Sequence, residues 1–298
     1  MTPDEYLEKI LSAQTFDDDD PELLAIRQYR KDIEAILRSH FAKSKPSIRW
    51  AGSMAKETMI RASYDGDMTC YFPDDETEAG STLEELYGAC EEALHGSYDL
   101  KQKASAIRVR ARGGAYLHID LVPGRFTDSA KADVFLHLTT GDKERLKTNL
   151  DVHIDHIRDS GVREAIRLIK LWRVRNGLKA KTFVLELLVV KLLQGKKGVA
   201  VAEQLKHLWT EFRDNTENLS VEDPANPSGN DLKPILDEMR WSLSAVARTT
   251  LTSLEALGWE AVFGRVEEDD DGGRGARVNI LRSAVHIARP TKPWLREE

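Results

Sequence analysis

Residues 52–72 read GSMAKETMIRASYDGDMTCYF, and the fold turns on how this stretch is understood. Its last seven residues alternate in the manner of a strand that stops at Pro73. Asp65 and Asp67 stand two apart at the entry of that strand, so both carboxylates point to the same side of it. Two such carboxylates repel one another unless a cation sits between them. Hard carboxylate oxygens suit Mg²⁺, which keeps its remaining places for water and phosphate oxygens. A phosphoryl-transfer site that uses two metal ions needs a further bridging carboxylate from elsewhere in the fold. Asp120, in the strand-like LHIDLVP at 117–123, is the best candidate. Gly52 and Ser53 make a small polar turn upstream, where backbone N–H groups and a hydroxyl can approach a phosphate with no side chain in the way. Gly-Ser or Asp-Gly-Asp alone is an ordinary turn; the two together with a strand Asp downstream carry the signal.

Working outward, two helix starts place Pro at the first helical position: Thr2 before Pro3 and Asp20 before Pro21. Leu23, Ile26, Tyr29, Ile33 and Ile36 recur at steps of three or four, which predicts a long amphipathic helix over 21–41. SIRWAGS reads as a strand into a turn, and STLEELYGACEEAL as a helix with Ser81 as N-cap and Glu84 completing a capping box. ASAIRVRA and AYLHIDLVP flank Gly113 and Gly114, the composition of a β-hairpin, and ADVFLHL is another short strand. A two-residue hairpin loop would pair Ile107 with Asp120 and turn Arg108 and Arg110 away from the carboxylates. A three-residue loop with a bulge would place both arginines on the carboxylate side.

Beyond residue 148 the pattern is almost purely helical. VREAIRLIKLWRVRN puts Val162, Ala165, Ile166, Ile169 and Trp172 on one face, and TFVLELLVVKLL is apolar nearly all round. Arg163, Arg167, Lys170 and Arg173 form a basic stripe beside that apolar face, either a solvated surface or a phosphate partner. His153 and His156 lack the further partners of a zinc pattern and read as a polar helix surface. EEDDDGGRG at 267–275 reads as a solvated loop.

The whole chain has 298 residues, with 43 Lys and Arg against 50 Asp and Glu, a formal charge of −7. With 41% hydrophobic residues it can build a real core, which excludes a wholly disordered chain. The acidic balance argues against a protein that grips long nucleic acid through many phosphates. No stretch approaches the roughly 20 apolar residues needed to span a bilayer. MTPDEYLEKI lacks the basic start and apolar middle of a signal peptide, so a cytoplasmic protein with no membrane partner is expected. Cys70 and Cys90 are expected as free thiols.

The order GS, eleven residues, DxD, then a strand ending in hDlvP resembles the nucleotidyltransferase superfamily with a polymerase-β-type catalytic domain. RLIKLWRVRN, KTFVLELLVVKLL and VEDPANPSGND, in that order, are similar to the helical half of oligoadenylate synthases and of the bacterial cGAS/DncV-like nucleotidyltransferases, or CD-NTases. The resemblance covers most of residues 45–265, and DPANPSGN is its most discriminating part. It implies an α+β fold, with a small mixed sheet flanked by helices at 1–148 packed against a helical domain at 149–298.

Carried over, it implies that Asp65, Asp67 and Asp120 hold two Mg²⁺ ions, with Mn²⁺ as a substitute, and that Asp120 lies near an attacking sugar hydroxyl. Gly52 and Ser53, helped by Lys170 and Thr182, would hold a donor triphosphate from ATP or GTP, and Phe183 stands where the family stacks a base. Glu57 replaces the usual Gly of GS-x-x-x-Gly-Thr, and Thr182 replaces the commoner Ser. The implied activity is template-independent synthesis of a cyclic di- or trinucleotide with release of pyrophosphate. Its implied setting is bacterial anti-phage signalling through a separate effector. The competing expectations are an RNA-tailing enzyme of the CCA-adding type and a nucleotide-binding regulatory domain without turnover.

Overall fold

A computed structural model describes residues 1–113 and 117–266. The chain opens with α1 (Pro3–Ala13) and α2 (Pro21–His40). Then come β1 (Ser47–Trp50), a single helical turn α3 (Gly52–Ala55), β2 (Gly66–Phe72) and α4 (Leu83–His95). Five strands follow: β3 (Tyr98–Gln102), β4 (Ile107–Ala111), β5 (His118–Phe126), β6 (Val134–His137) and β7 (Arg145–Thr148). Beyond β7 the described residues form helices: α5 (Leu150–Arg158), α6 (Arg163–Arg175), α7 (Thr182–Leu192), α8 (Val201–Asp214), α9 (Lys233–Leu257) and α10 (Glu260–Phe263).

Thr2 caps α1 in a capping box with Glu5, as the Thr-Pro start anticipates. The α4 cap lies one residue later than expected: Thr82, not Ser81, accepts from the Glu85 backbone, and Glu85 closes the box in place of Glu84. Ser81 still binds the Glu85 carboxylate, so the shift exchanges two neighbouring hydroxyls for one role. The strands β3 and β7, which are polar and charged along most of their length, carried no clear apolar alternation and were not anticipated.

The sheet runs β1-β2-β5-β4-β3, with β6 on the far end of β5 and β7 on β6. Among the described residues only β2 and β5 pair in parallel. Met68, Cys70, Phe72, Ile107, Val109, Ile119 and Leu121 face α2 and α4, which bury them with Ile33, Leu37, Leu86 and Leu94. Side chains alternate along strands, so this buried face dictates what the opposite face presents: Asp67, Arg108, His118 and Asp120.

A second core joins α6–α10 around Trp172, Trp209, Phe212 and Phe263. The indole N–H of Trp172 donates to the Thr250 hydroxyl at 2.7 Å. Although α1 is first in the chain, its Tyr6, Leu7, Ile10 and Leu11 belong to this helical core. Cys70 and Cys90 are free and buried. The loop expected at 267–275 lies outside the described residues. No helix among the described residues is long and apolar enough to cross a membrane.

Candidate active site

The register of three adjacent strands builds the acidic part of the site. Asp67 on β2 stands directly beside Asp120 on β5, and Asp120 stands opposite Arg108 on β4, with Arg110 opposite His118. Both arginines therefore share the carboxylate face, as an odd-numbered hairpin loop requires. Residues 114–116 of that loop lie outside the described residues. Asp65, one residue before β2, falls beside His118, whose Nε2 lies 3.5 Å from Asp65 Oδ2.

Asp120 is mostly buried and its oxygens are engaged. Arg108 donates through Nε to Oδ1 at 2.8 Å and through a terminal nitrogen to Oδ2 at 2.9 Å, while Lys103 Nζ reaches Oδ2 at 2.7 Å. Burial works to raise this carboxyl, but the hydrogen bonds from Arg108 and Lys103 outweigh it and hold it below the usual range. Asp67 goes the other way. Burial foremost, then the charges of Asp65 and Asp120, push it up to about 7. The fold thus buries one carboxylate and gathers two others beside it.

Gly52 makes this packing possible. Its φ is +56°, in the left-handed region, and a Cβ there would fall 1.7 Å from Asp67 Oδ2. The single turn of α3 follows, and at its end Glu57, where the resemblance expects Gly, also has a left-handed φ of 57°. The loop keeps the backbone shape a glycine would adopt, at a modest steric cost, and Arg163 binds the Glu57 carboxylate.

Gly52, Ser53, Asp65, Asp67, Lys170, Thr182 and Phe183 line one cavity of about 260 Å³ between the sheet and α6–α7, with Asp120 next to Asp67. These seven residues, all singled out in the sequence and drawn from segments up to 131 positions apart, thus meet in one place. Larger clefts, of about 570 Å³ beside α5 and α7 and about 620 Å³ beside the start of α2, hold none of those residues.

Lys170 is not on a solvated stripe: it is 6% exposed, and its Nζ donates to the Thr58 carbonyl at 2.8 Å. Burial lowers its pKa, and Glu186 opposes that shift from 3.6 Å. Glu186 also binds Lys56 Nζ at 2.8 Å and the Thr58 hydroxyl at 3.1 Å. Burial would raise Glu186, but Lys56 and Lys170 hold it low and ionised. The cluster has two ammonium groups against one carboxylate, leaving a net positive charge at the cavity wall. Lys56 and Glu186 were missed from sequence because one lies in a turn and the other inside an apolar helix. A lone charge in TFVLELLVVKLL was the available signal.

The histidine surface expected on α5 is not wholly a surface. His153 Nε2 lies 2.6 Å from Asp223 Oδ1, and Asp223, the first residue of DPANPSGN, is only 1% exposed. Asn230 and the Ala225 backbone also donate to Asp223, so the segment is folded around a buried carboxylate. The His153 ring packs 4.9 Å from the Phe183 ring, and Lys56 Nζ sits 5.1 Å from the other ring partner's centre, that of Phe183.

The donor set suits a divalent cation. One ligand atom each from Asp65, His118 and Asp120 lie within 4.8 Å of one another, and Asp67 adjoins them. A cation there would offset the repulsion that raises Asp67.

No family model matches the sequence, and no curated protein matches it. Solved structures match in fold. CdnC of Escherichia coli MS115-1, in complex with HORMA-deltaN, is 20% identical with a TM-score of 0.65, over 89% of this chain and 98% of that one. The CD-NTase CdnG of Bradyrhizobium diazoefficiens, in complex with GTP, is 13% identical with a TM-score of 0.67, over 95% and 99%. The DncV cyclic AMP-GMP synthase of Vibrio cholerae, in complex with the linear intermediate 5′ pppA(3′,5′)pG, is 16% identical with a TM-score of 0.64, over 94% and 95%. The chain has the α+β fold of the cGAS/DncV-like nucleotidyltransferases along most of its length, as the resemblance in its sequence implies.

Proposed function

We propose that this chain is a metal-dependent, template-independent nucleotidyltransferase that joins NTPs into a cyclic di- or trinucleotide. The observation that carries the reading is the pairing of Asp67 with Asp120 across two parallel strands, beside a cavity on whose helical side Lys56 and Lys170 share the single carboxylate of Glu186. Its fold is that of structures named as cyclic nucleotide synthases.

In this reading a ribose hydroxyl oxygen of one nucleotide bonds to the α-phosphorus of a second, the bond to the β-phosphate oxygen breaks, pyrophosphate leaves, and the hydroxyl proton passes to water. Divalent cations, two Mg²⁺ or Mn²⁺, held by Asp65, Asp67 and Asp120 would supply charge neutralisation and acidify the attacking hydroxyl. The Gly52–Ser53 turn, free of a Cβ at Gly52, brings backbone N–H groups to the triphosphate. Lys170, with Lys56 beside it, contributes the excess positive charge, and the Thr182 hydroxyl opens α7 at the same wall. Phe183 offers a ring face for a base, its position set by His153. Asp120, held low by Arg108 and Lys103, suits holding charge and orienting the hydroxyl better than taking up a proton. Such transfers depend chiefly on positioning and electrostatics, so this small set suffices. We place the product in cytoplasmic anti-phage signalling in bacteria, read by a separate effector.

The test is incubation with labelled ATP, GTP, CTP and UTP and Mg²⁺ or Mn²⁺, then phosphatase digestion and mass spectrometry, with Asp67→Asn alongside. A phosphatase-resistant product absent from the variant is expected. The same yield from the variant would remove the proposed metal site. A tailed RNA when tRNA is added, with no cyclic product, would favour the RNA-tailing reading instead.

A further inference from the structure

We propose that His118 is itself a ligand in the cation site, a nitrogen donor beside Asp65 and Asp120, and that it tilts the site toward Mn²⁺ over Mg²⁺. This rests on the metal-dependent reading above but concerns a residue that the DxD and hDlvP pattern does not assign.

Three observations carry it. Strand register puts His118 on the same face as Asp120, two residues earlier on β5, and alongside Asp65 at the head of β2. Its Nε2 is 3.5 Å from Asp65 Oδ2, a spacing typical of two atoms on neighbouring corners of one coordination shell. Ligand atoms of Asp65, His118 and Asp120 all fall within 4.8 Å. Bonds of about 2.1 Å place shell atoms roughly 3–4.2 Å apart, so the triangle closes on one ion after a small side-chain adjustment.

Asp120 has room for the ion despite its ion pairs. A carboxylate offers about four lone-pair positions. Arg108 and Lys103 take three, and Lys103 is a flexible, part-exposed side chain. Arg110, across the strand pair from His118, and Arg108 add positive charge nearby, which makes a donor set with two carboxylates necessary rather than optional.

An all-oxygen set is well matched to Mg²⁺, which takes imidazole poorly. Transition-metal ions accept imidazole, and Mn²⁺ also keeps the octahedral oxygen shell that phosphate and water complete.

The probe is Mn²⁺ alone added to the full chain, read by electron paramagnetic resonance titration and by electron spin-echo modulation. A directly bound imidazole gives a ¹⁴N coupling that changes on ¹⁵N-histidine labelling, an arm that needs no mutation. We expect that coupling in the native protein and its loss in His118→Gln. Mn²⁺ Kd should rise at least tenfold, while Mg²⁺ Kd, measured by competition, should change less than about threefold. His118→Ala, with a thermal melt on both variants, separates ligand loss from misfolding.

Absence of nitrogen coupling in the native protein, an unchanged Mn²⁺ Kd in folded His118→Gln, or no Mn²⁺ binding at all overturns the assignment. Cyclic product made without a nitrogen coupling would sink the His118 ligand and leave the transferase reading standing. A nitrogen coupling without any product from NTPs would do the reverse.

Discussion

A single hydrogen atom decides what Gly52 allows. Its left-handed φ and the 1.7 Å approach of Asp67 Oδ2 leave no space for a methyl group. Gly52→Ala is expected to displace Asp67, abolish nucleotide transfer and lower the melting temperature. A variant with native activity would show that the carboxylate moves freely. Asp67 itself carries a pH signature in metal-free protein. Its carboxyl loses its proton near pH 4 in the unfolded chain and at about 7 in the folded one, so between these values the folded state binds more protons. Stability therefore falls as pH rises from about 4 to 7. Melts in chelator across that range should show the decline, Asp67→Asn should flatten it, and added divalent cation should offset it.

At the scale of elements, α3 and its following turn are tied to α7 by Glu186 with Lys56, Lys170 and Thr58. These groups come from opposite sides of the cavity, so the cluster sets the spacing between sheet and helices as well as the charge of the wall. Glu186→Gln leaves two buried ammonium groups without their counter-charge, which costs on the order of 3–5 kcal/mol. Urea denaturation should show that loss and nucleotide KM should rise. A loss under about 1 kcal/mol would mean that water reaches the lysines. The DPANPSGN segment works in the same way on the other side of Phe183. Asp223 anchors it to α5 through His153, so what reads in sequence as a Pro/Gly turn is a brace for the aromatic wall.

Across the whole molecule, the chain's first helix completes its last core. Tyr6, Leu7, Ile10 and Leu11 pack among α6, α8 and α10, and the Tyr6 hydroxyl donates to the Gly264 carbonyl at 2.5 Å. Four buried side chains at about 1.5–3 kcal/mol each amount to a stabilisation comparable with that of a whole domain. Deleting residues 1–13 is expected to unfold the helical half, not to yield a shorter active protein, and circular dichroism melts of the truncated chain check it. A cooperative melt within a few degrees of the native one would show that the helices hold together without α1.

Strand periodicity alone put Asp65 and Asp67 on one side of β2, because alternation is a property of the local backbone. Helix caps, the Gly52–Ser53 turn and the apolar run of α7 were legible for the same local reason, to within one residue at the α4 cap. Asp120 could be chosen from sequence only as the best remaining carboxylate. Its place beside Asp67, and with it Arg108 and His118, follows from which strands pair and in what register, settled by packing of α2 and α4 on the far face of the sheet. The partners of Lys170 and the burial of Asp223 likewise depend on segments distant in the chain. Local spacing determined which chemical groups the protein possesses and which way each strand aims them. Long-range packing decided which of them meet, since the free energy that selects a register or buries a charge is summed over the whole core.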